Sequence, residues 1–352
     1  MNEEKTQGIS FFEKYLTIWV LICMMAGILI GNFLPNVQSA LDNMQVFGQN
    51  VPLAILMWIM IYPMMLKIDF KAIKNVGKHP QGILISTLAS WGIKPFLMFG
   101  LATLFFKEIF SAFIPTGMAQ DFVTGAVLLG VAPCTAMVFV WSTLAKGNPA
   151  QTLVQVSVND LLILVLFIPL VQLLLGVNNV SLPLDILAWS IVLFVVIPLG
   201  MGVLSRIIIV KKKGEEYFNQ KFVQKFDGVT TVGLLLTLII IFTFQGDILV
   251  EHPLYVLLIA IPLILQNFIS FTLTYFISKA AKLPRDIAAP ASLIAASDFF
   301  ELSVAVAIAL FGPTSPVVLA CTVGVLTEVP VMLLLVKFVN KTKHWFPEES
   351  AN

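Results

Sequence analysis

Eight side chains able to do chemistry stand inside long apolar runs of this 352-residue chain: Lys94, Asp160, Asp298, Glu301 and Glu328, with thiols at Cys23, Cys134 and Cys321. A charge among apolar residues is costly to keep, so each is a candidate for ion or proton handling, with a partner nearby. Asp298 and Glu301 lie three residues apart, a spacing that predicts one helical face looking onto the same water. Cys134 follows Pro133 in the stretch GVAPCTAMVFVW, where the missing proline N–H is expected to break a helix at mid-run. A thiol binds as thiolate and is a soft ligand suited to soft metalloids.

Each of these residues also has a plainer reading. Most cysteines in apolar runs are small core residues, and Cys23 and Cys321 are read as such, because three convergent thiolates would hold a metalloid too tightly to release it. Lys94, next to Pro95, is expected either to neutralise one of the acids or to donate to carbonyls that the proline frees. Asp160 follows Pro149, and Glu328 follows Pro316, by 11 or 12 residues, so the two are read first as a structural pair anchoring their helices. Asn159 and Asn267 place amides within spans, as interhelical contacts or as ligands.

The elements that must position these residues follow from composition. Hydrophobic residues make up 58% of the chain and charged residues only 12%, where a soluble domain carries about twice that charge. This predicts an all-α polytopic membrane protein. The apolar runs fall at 15–35, 51–66, 81–106, 121–145, 150–175, 184–209, 228–249, 254–278, 287–311 and 316–338, giving ten expected spans. The start MNEEKTQGISFFEKY has no small-residue cleavage site, so the first span is expected to be retained. With ten spans, 19 of the 21 basic residues fall on the side of the termini; of the other two, Lys107 lies opposite and Lys94 lies within a span. That asymmetry predicts a multi-pass protein of the cell membrane with both termini cytoplasmic. The stretch KKKGEEYFNQKFVQK is read as a solvated loop that sets topology, not as a nucleic-acid site. His79, His252 and His344 lie at helix ends or in loops and build no metal constellation. The odd cysteine count argues against a disulfide framework, and no cofactor is expected. No phosphate-binding loop is present, so pumping by ATP would need a separate subunit, and none is expected to be obligatory.

Ten spans divide into two halves of five, 1–176 and 177–352, and an odd number per half makes the second copy inverted. Pro80 and Pro253 open the third and eighth runs, and Pro149 and Pro316 the fifth and tenth. Cys134 precedes Pro149 by 15 residues, as Glu301 precedes Pro316. The two candidate site residues then become symmetry mates on helices four and nine, both expected to be broken and to cross near the bilayer midplane. Helix nine has no mid-run proline; the cluster Ser297, Asp298 and Glu301 marks its expected break.

The segments APCTAMVFVWSTLAKGNP, TLVQVSVNDL and PASLIAASDFFELSVAVAIALFGPTSP resemble the arsenical-resistance-3 family of arsenite permeases, in the bile acid, arsenite and riboflavin transporter superfamily. The resemblance implies two inverted five-helix repeats, a core domain from helices 3–5 and 8–10, a panel domain from helices 1, 2, 6 and 7, and expulsion of arsenite, in some members antimonite, from the cytoplasm. It places the family's helix-four cysteine on Cys134 and its helix-nine glutamate on Glu301. Many members carry arginine where this chain has Pro133, so no role of that arginine transfers. The expected mechanism is arsenite–proton antiport, with Cys134 a transient metalloid ligand, Glu301 and Asp298 handling protons, and Pro133, Thr135, Lys94, Asn267 and Ser297 in support. One alternative is a sodium-coupled organic anion symporter of the bile acid type, using Gln266, Asn267, Ser297 and Glu301 as cation ligands. The other is a membrane-embedded enzyme, which would need a nucleophile with a base, or a metal set, inside the spans.

Overall fold

In the computed structural model, the described residues are 16–46, 49–66, 80–135, 137–177, 180 and 182–347. The basic residues Lys5, Lys14, Lys67, Lys71, Lys74 and Lys78, part of the charge asymmetry above, lie outside them. Among the described residues the regular structure is helical apart from one antiparallel pair of short strands, β1 (Gln45–Val46) and β2 (Gln49–Asn50).

The helices are α1 (Leu16–Phe33), α2 (Pro35–Asp42), α3 (Val51–Leu66), α4 (Pro80–Ile109), α5 (Thr116–Val131), α6 (Val138–Leu144), α7 (Pro149–Val177), α8 (Leu184–Lys213), α9 (Asp227–Glu251), α10 (Leu254–Ala280), α11 (Arg285–Ala296), α12 (Phe300–Phe311) and α13 (Pro316–Lys341). Among the described residues six helical runs are long and apolar enough to cross a bilayer, and α1 with α2, joined at a 97° bend, makes a seventh. The other expected runs differ for identifiable reasons. The helix α3 has 16 residues, a rise of about 24 Å against a hydrocarbon core of about 30 Å. The runs 121–145 and 287–311 are each split in two, as α5/α6 and α11/α12.

Proline sets many of the boundaries. Pro80, Pro149 and Pro316 are first residues of α4, α7 and α13, where proline's missing N–H costs nothing and its fixed φ suits the helix. Pro63, Pro169, Pro262, Pro290 and Pro330 stand inside continuous α-helices, but before Pro95 and Pro198 the turn widens. A π segment, Leu88–Ile93, precedes Lys94-Pro95 in α4, with the Lys94 N–H on Ala89 O. A second, Val192–Val196, precedes Ile197-Pro198 in α8, with the Ile197 N–H on Val192 O. The wider turn takes in the proline ring without ending the helix.

Two packing groups position the candidate residues. In one, α1 runs along α9, which also packs on α3, and α3 packs on α8. Gly27 and Gly31 bring α1 against the α9 backbone, since a Cβ there would lie 2.6 Å from Ile239 O and 2.5 Å from Thr243 O. In the other, α10 lies on α11 and α13, while α5 lies between α4 and α13. Outward faces such as Leu21, Ile22, Met25 and Leu29 of α1, or Leu204, Ile207 and Ile208 of α8, are apolar and exposed, as lipid contact requires.

The expected loop after α8 is instead helical. Beyond Gly214 the chain continues as helical turns Glu215–Tyr217, Phe218–Phe222 and Val223–Phe226. Phe218 is fully buried and stacks on Phe222, which meets Phe226 edge to face, and Arg206 pairs with Glu215 at 3.2 Å. Aromatic residues at helical spacing gave this stretch an apolar face that its lysines masked in the sequence. The start of α11 meets the ends of α6 and α13, where Arg285 donates to Ala145 O at 2.8 Å and to Asn340 Oδ1 at 2.6 Å.

Close approach of α5 to α13 depends on Gly125, where a Cβ would lie 2.7 Å from the Ala320 Cβ and press on the Val317 carbonyl. Gly125→Val is expected to lower stability by about 1–3 kcal/mol through overpacking. Gly100→Val, where nothing lies within 4 Å, is expected to leave it near wild type. Thermal unfolding of the detergent-solubilised proteins checks both.

Candidate substrate site at the crossing of two broken helices

Helix α5 ends at Val131, and Ala132 turns extended at φ −94°, ψ 110°. Helix α11 ends at Ala296, and Ser297 does the same at φ −85°, ψ 147°. The two extended breaks lie antiparallel, with Pro133 opposite Asp298. Phe299 N donates to Ala132 O at 2.8 Å, and Cys134 N donates to Ser297 O at 3.2 Å. Each break thus supplies the hydrogen-bond partners that the other lost, which an apolar surrounding demands. The half-helices pack crosswise: α5 on α12, where Ser303 Oγ donates to Leu128 O at 3.0 Å, and α6 on α11. Proline at 133 places the first break, since it cannot donate. The second has no proline and is drawn open by the polar partners of Ser297 and Asp298.

Lys94 reaches this point from the α4 turn described above. Its ammonium is fully buried and lies 2.8 Å from Asp298 Oδ1, 2.9 Å from Ser297 O and 3.4 Å from Ala132 O. Of the two roles read from the sequence it takes the first, neutralising an acid; the carbonyls it bonds belong to the breaks of other helices and not to the Pro95 turn. Glu328 of α13 closes the other side, its Oε1 accepting from the Ser297 hydroxyl and, at 3.2 Å, from Asp298 N. It lies within electrostatic range of Asp298 and Glu301. On α7, the Asp160 carboxyl lies beside the Thr135 hydroxyl of the first break. Asp160 and Glu328 therefore each approach the break of a neighbouring helix.

One expectation is corrected. Asp298 and Glu301 do not share a helical face, because Asp298 is extended and precedes the α12 cap residue Phe299. Asp298 turns to Lys94, while Glu301 stands in the first turn of α12, where the N-terminal dipole favours a negative charge. One Glu301 oxygen, Oε2, is buried with no hydrogen-bond partner among the described residues. Cys134 is 1% exposed, and Asp298 and Glu301 are each 3% exposed. The crossing is therefore closed to both sides in this conformation.

Asn267 is buried in α10 and its Oδ1 has no partner among the described residues. Asn159 Oδ1 accepts from Trp91 Nε1 at 3.1 Å. Cys321 donates its thiol to Gly125 O at 3.3 Å in the α5–α13 contact, and Cys23 is buried in α1. Among the described residues no three His, Cys, Asp or Glu side chains come together as a metal cluster. Sequence reasoning passed over Gln155 on α7, buried with neither amide atom partnered among the described residues, and Gln245 on α9, which donates to Pro313 O at 2.6 Å. The criterion that singled out Asn159 and Asn267, an amide within a span, reaches both when it is applied to every span.

Residues 54–252 match the Sodium Bile acid symporter family. An arsenical-resistance protein Acr3 of Alkaliphilus metalliredigens is 57% identical over 97% of this chain and 96% of its own length. The chain belongs to the Acr3 family of arsenical-resistance proteins, within the sodium bile acid symporter family. An Acr3 of Corynebacterium glutamicum is 34% identical over 94% of this chain and 90% of its own, and a protein of Synechocystis described as an uncharacterised transporter is 40% identical over 97% and 91%. This Acr3-family chain is thus a multi-pass membrane transporter of a small molecule.

Glu328 satisfies two groups of the second break at once. Glu328→Ala is expected to cost about 1–3 kcal/mol by leaving the Asp298 amide and the Ser297 hydroxyl unpaired, whereas Glu328→Gln keeps an acceptor and loses less. Thermal midpoints of the two purified variants should differ in that order.

Proposed function

We propose that this protein exports trivalent arsenite from the cytoplasm across the cell membrane, in exchange for protons. The observation that carries the reading is the 57% identity, over nearly the full length of both chains, to a protein named for arsenical resistance. The crossing supports it chemically. A thiol at Cys134 and a carboxyl at Glu301 are both buried where two broken helices meet, the kind of place at which secondary transporters bind substrate.

Arsenite near neutral pH is the uncharged As(OH)₃, so a membrane potential alone cannot drive it outward, and uphill export needs a coupled ion. Cys134 engages arsenic by exchange: the thiol sulfur replaces one hydroxyl on arsenic, and the thiol proton leaves with that hydroxyl as water. No electron moves, and hydration reverses the step. One sulfur–arsenic bond is labile enough for release, which several would not be. Glu301 takes up the incoming proton, and Asp298 is the second candidate once its pairing with Lys94 loosens. Thr135, Ser297, Asn267 and Pro133 shape the site.

The architecture we propose has ten spans as two inverted repeats, 1–176 and 177–352, with α5/α6 and α11/α12 as the fourth and ninth. Both termini then face the cytoplasm. The crossing group of helices forms the core, rocking against the panel of α1, α3, α8 and α9 to change access. Antimonite, chemically similar, is a candidate second substrate, and no ATPase subunit is obligatory. The match to sodium bile acid symporters favours one alternative, a sodium-coupled organic anion symporter, with Gln266 and Asn267 among its ligands.

Everted vesicles carrying the wild-type chain are expected to accumulate arsenite when a proton gradient is imposed, and to stop when an uncoupler collapses it. Glu301→Gln and Cys134→Ala are expected to fall to the level of vesicles lacking the protein. Wild-type accumulation by both variants would remove these residues from the site. Uptake that needs sodium and ignores the uncoupler would instead establish the symporter.

A further inference from the structure

The atoms around Lys94 Nζ are those of a cation site. Among the described residues three oxygens face it: the carboxylate Oδ1 of Asp298 at 2.8 Å, the carbonyl of Ser297 at 2.9 Å and the carbonyl of Ala132 at 3.4 Å. Ala132 and Ser297 are the C-terminal cap residues of α5 and α11. Two half-helices therefore aim the negative ends of their dipoles at one point, where an ionised side chain joins them. Unwound carbonyls and half-helix C-termini of this kind coordinate monovalent coupling ions in transporters with broken helices. An ammonium has three N–H donors and no acceptor, so three oxygens match its valence. No second cation is needed, and none would fit while the fully buried Lys94 is in place.

We propose that the helix crossing is a monovalent-cation site which this chain fills with its own lysine, making Lys94 the residue that excludes alkali cations there. A tethered ammonium neutralises the carboxylate and the two helix ends, and it cannot be carried across the membrane with substrate. The Lys94 backbone is set by the π turn and by Pro95, so the charge is delivered from a third helix and does not depend on either broken one. Its consequence rests on the proton-coupled reading above: with this position closed to sodium, the mobile coupling ion must be taken up elsewhere, and the Glu301 oxygen that has no partner among the described residues is a candidate acceptor in the second broken helix.

The test is Lys94→Ala, which removes the tethered cation and leaves the oxygens, with Lys94→Ala/Asp298→Asn as its control. Each is extracted and melted in sodium, potassium or choline chloride at one ionic strength. The wild type is expected to melt alike in all three. Lys94→Ala should melt several degrees higher in sodium or potassium than in choline, and that rise should vanish in the double variant. The proposal is overturned if Lys94→Ala melts alike, or fails alike to be recovered intact, in all three salts. It is also overturned if the double variant keeps the rise, or if the wild type shows it too. Arsenite takes no part in the measurement, so an error in the assigned substrate leaves this result standing.

Discussion

Two interrupted helices in an apolar setting each carry polar backbone groups that nothing nearby can satisfy. Here the two interruptions are laid against each other, so that Phe299 N–H finds Ala132 O and Cys134 N–H finds Ser297 O. Neither break is tolerable alone. The rest of the site follows from this mutual dependence, because α5, α6, α11 and α12 must meet at one place in one register, and Cys134 and Asp298 are carried there by the backbone that makes the bonds. Small residues then serve the same end: Gly125 admits α13 against α5, and α13 is the helix that brings Glu328.

Charge is distributed around the crossing with little to spare. Lys94 is the buried cation, against the acids Asp298, Glu301 and Glu328. Desolvating an ion pair is expensive, and removing one partner from such a pair costs about 3–5 kcal/mol. That penalty makes Lys94 and Asp298 a poor place to look for stability and a good place to look for specificity, since each fixes the other and both fix the breaks. Glu301 differs: it has the dipole of its own helix and one oxygen with no partner among the described residues. A carboxyl whose state is not committed to a neighbour can change that state during a cycle.

Much of this is legible in the sequence alone. Composition identified the class, proline at 80, 149 and 316 marked true helix starts, and Pro133 marked the first break. The second break was legible only through Ser297 and Asp298, because no proline announces it. Helical spacing then misled, since i to i+3 neighbours share a face only within a continuous helix, and Asp298 lies outside one. The partners of Lys94 were not legible at all: Ser297 and Asp298 are 203 and 204 residues away, and no local pattern encodes a contact of that separation. The stretch after Lys213 failed for the opposite reason. Its lysines and glutamates dominated the reading, while the phenylalanines that order it are spaced four apart and became meaningful only on a helix.

Closure of the crossing constrains how any cargo can pass. With Cys134, Asp298 and Glu301 all buried, neither side of the membrane reaches the thiol without movement. That movement cannot be the separation of the two breaks, because pulling them apart would expose at least two backbone hydrogen bonds and a buried ion pair together. On the transport reading proposed above, the crossing travels as a unit. Relative motion, on that reading, is then left to the surfaces between the crossing group and the helices α1, α3, α8 and α9, where the bonds from Gln245 of α9 to Pro313 O and Ser315 O must be carried or exchanged. The same bonds that make two broken helices possible thus also decide which parts of the molecule can move.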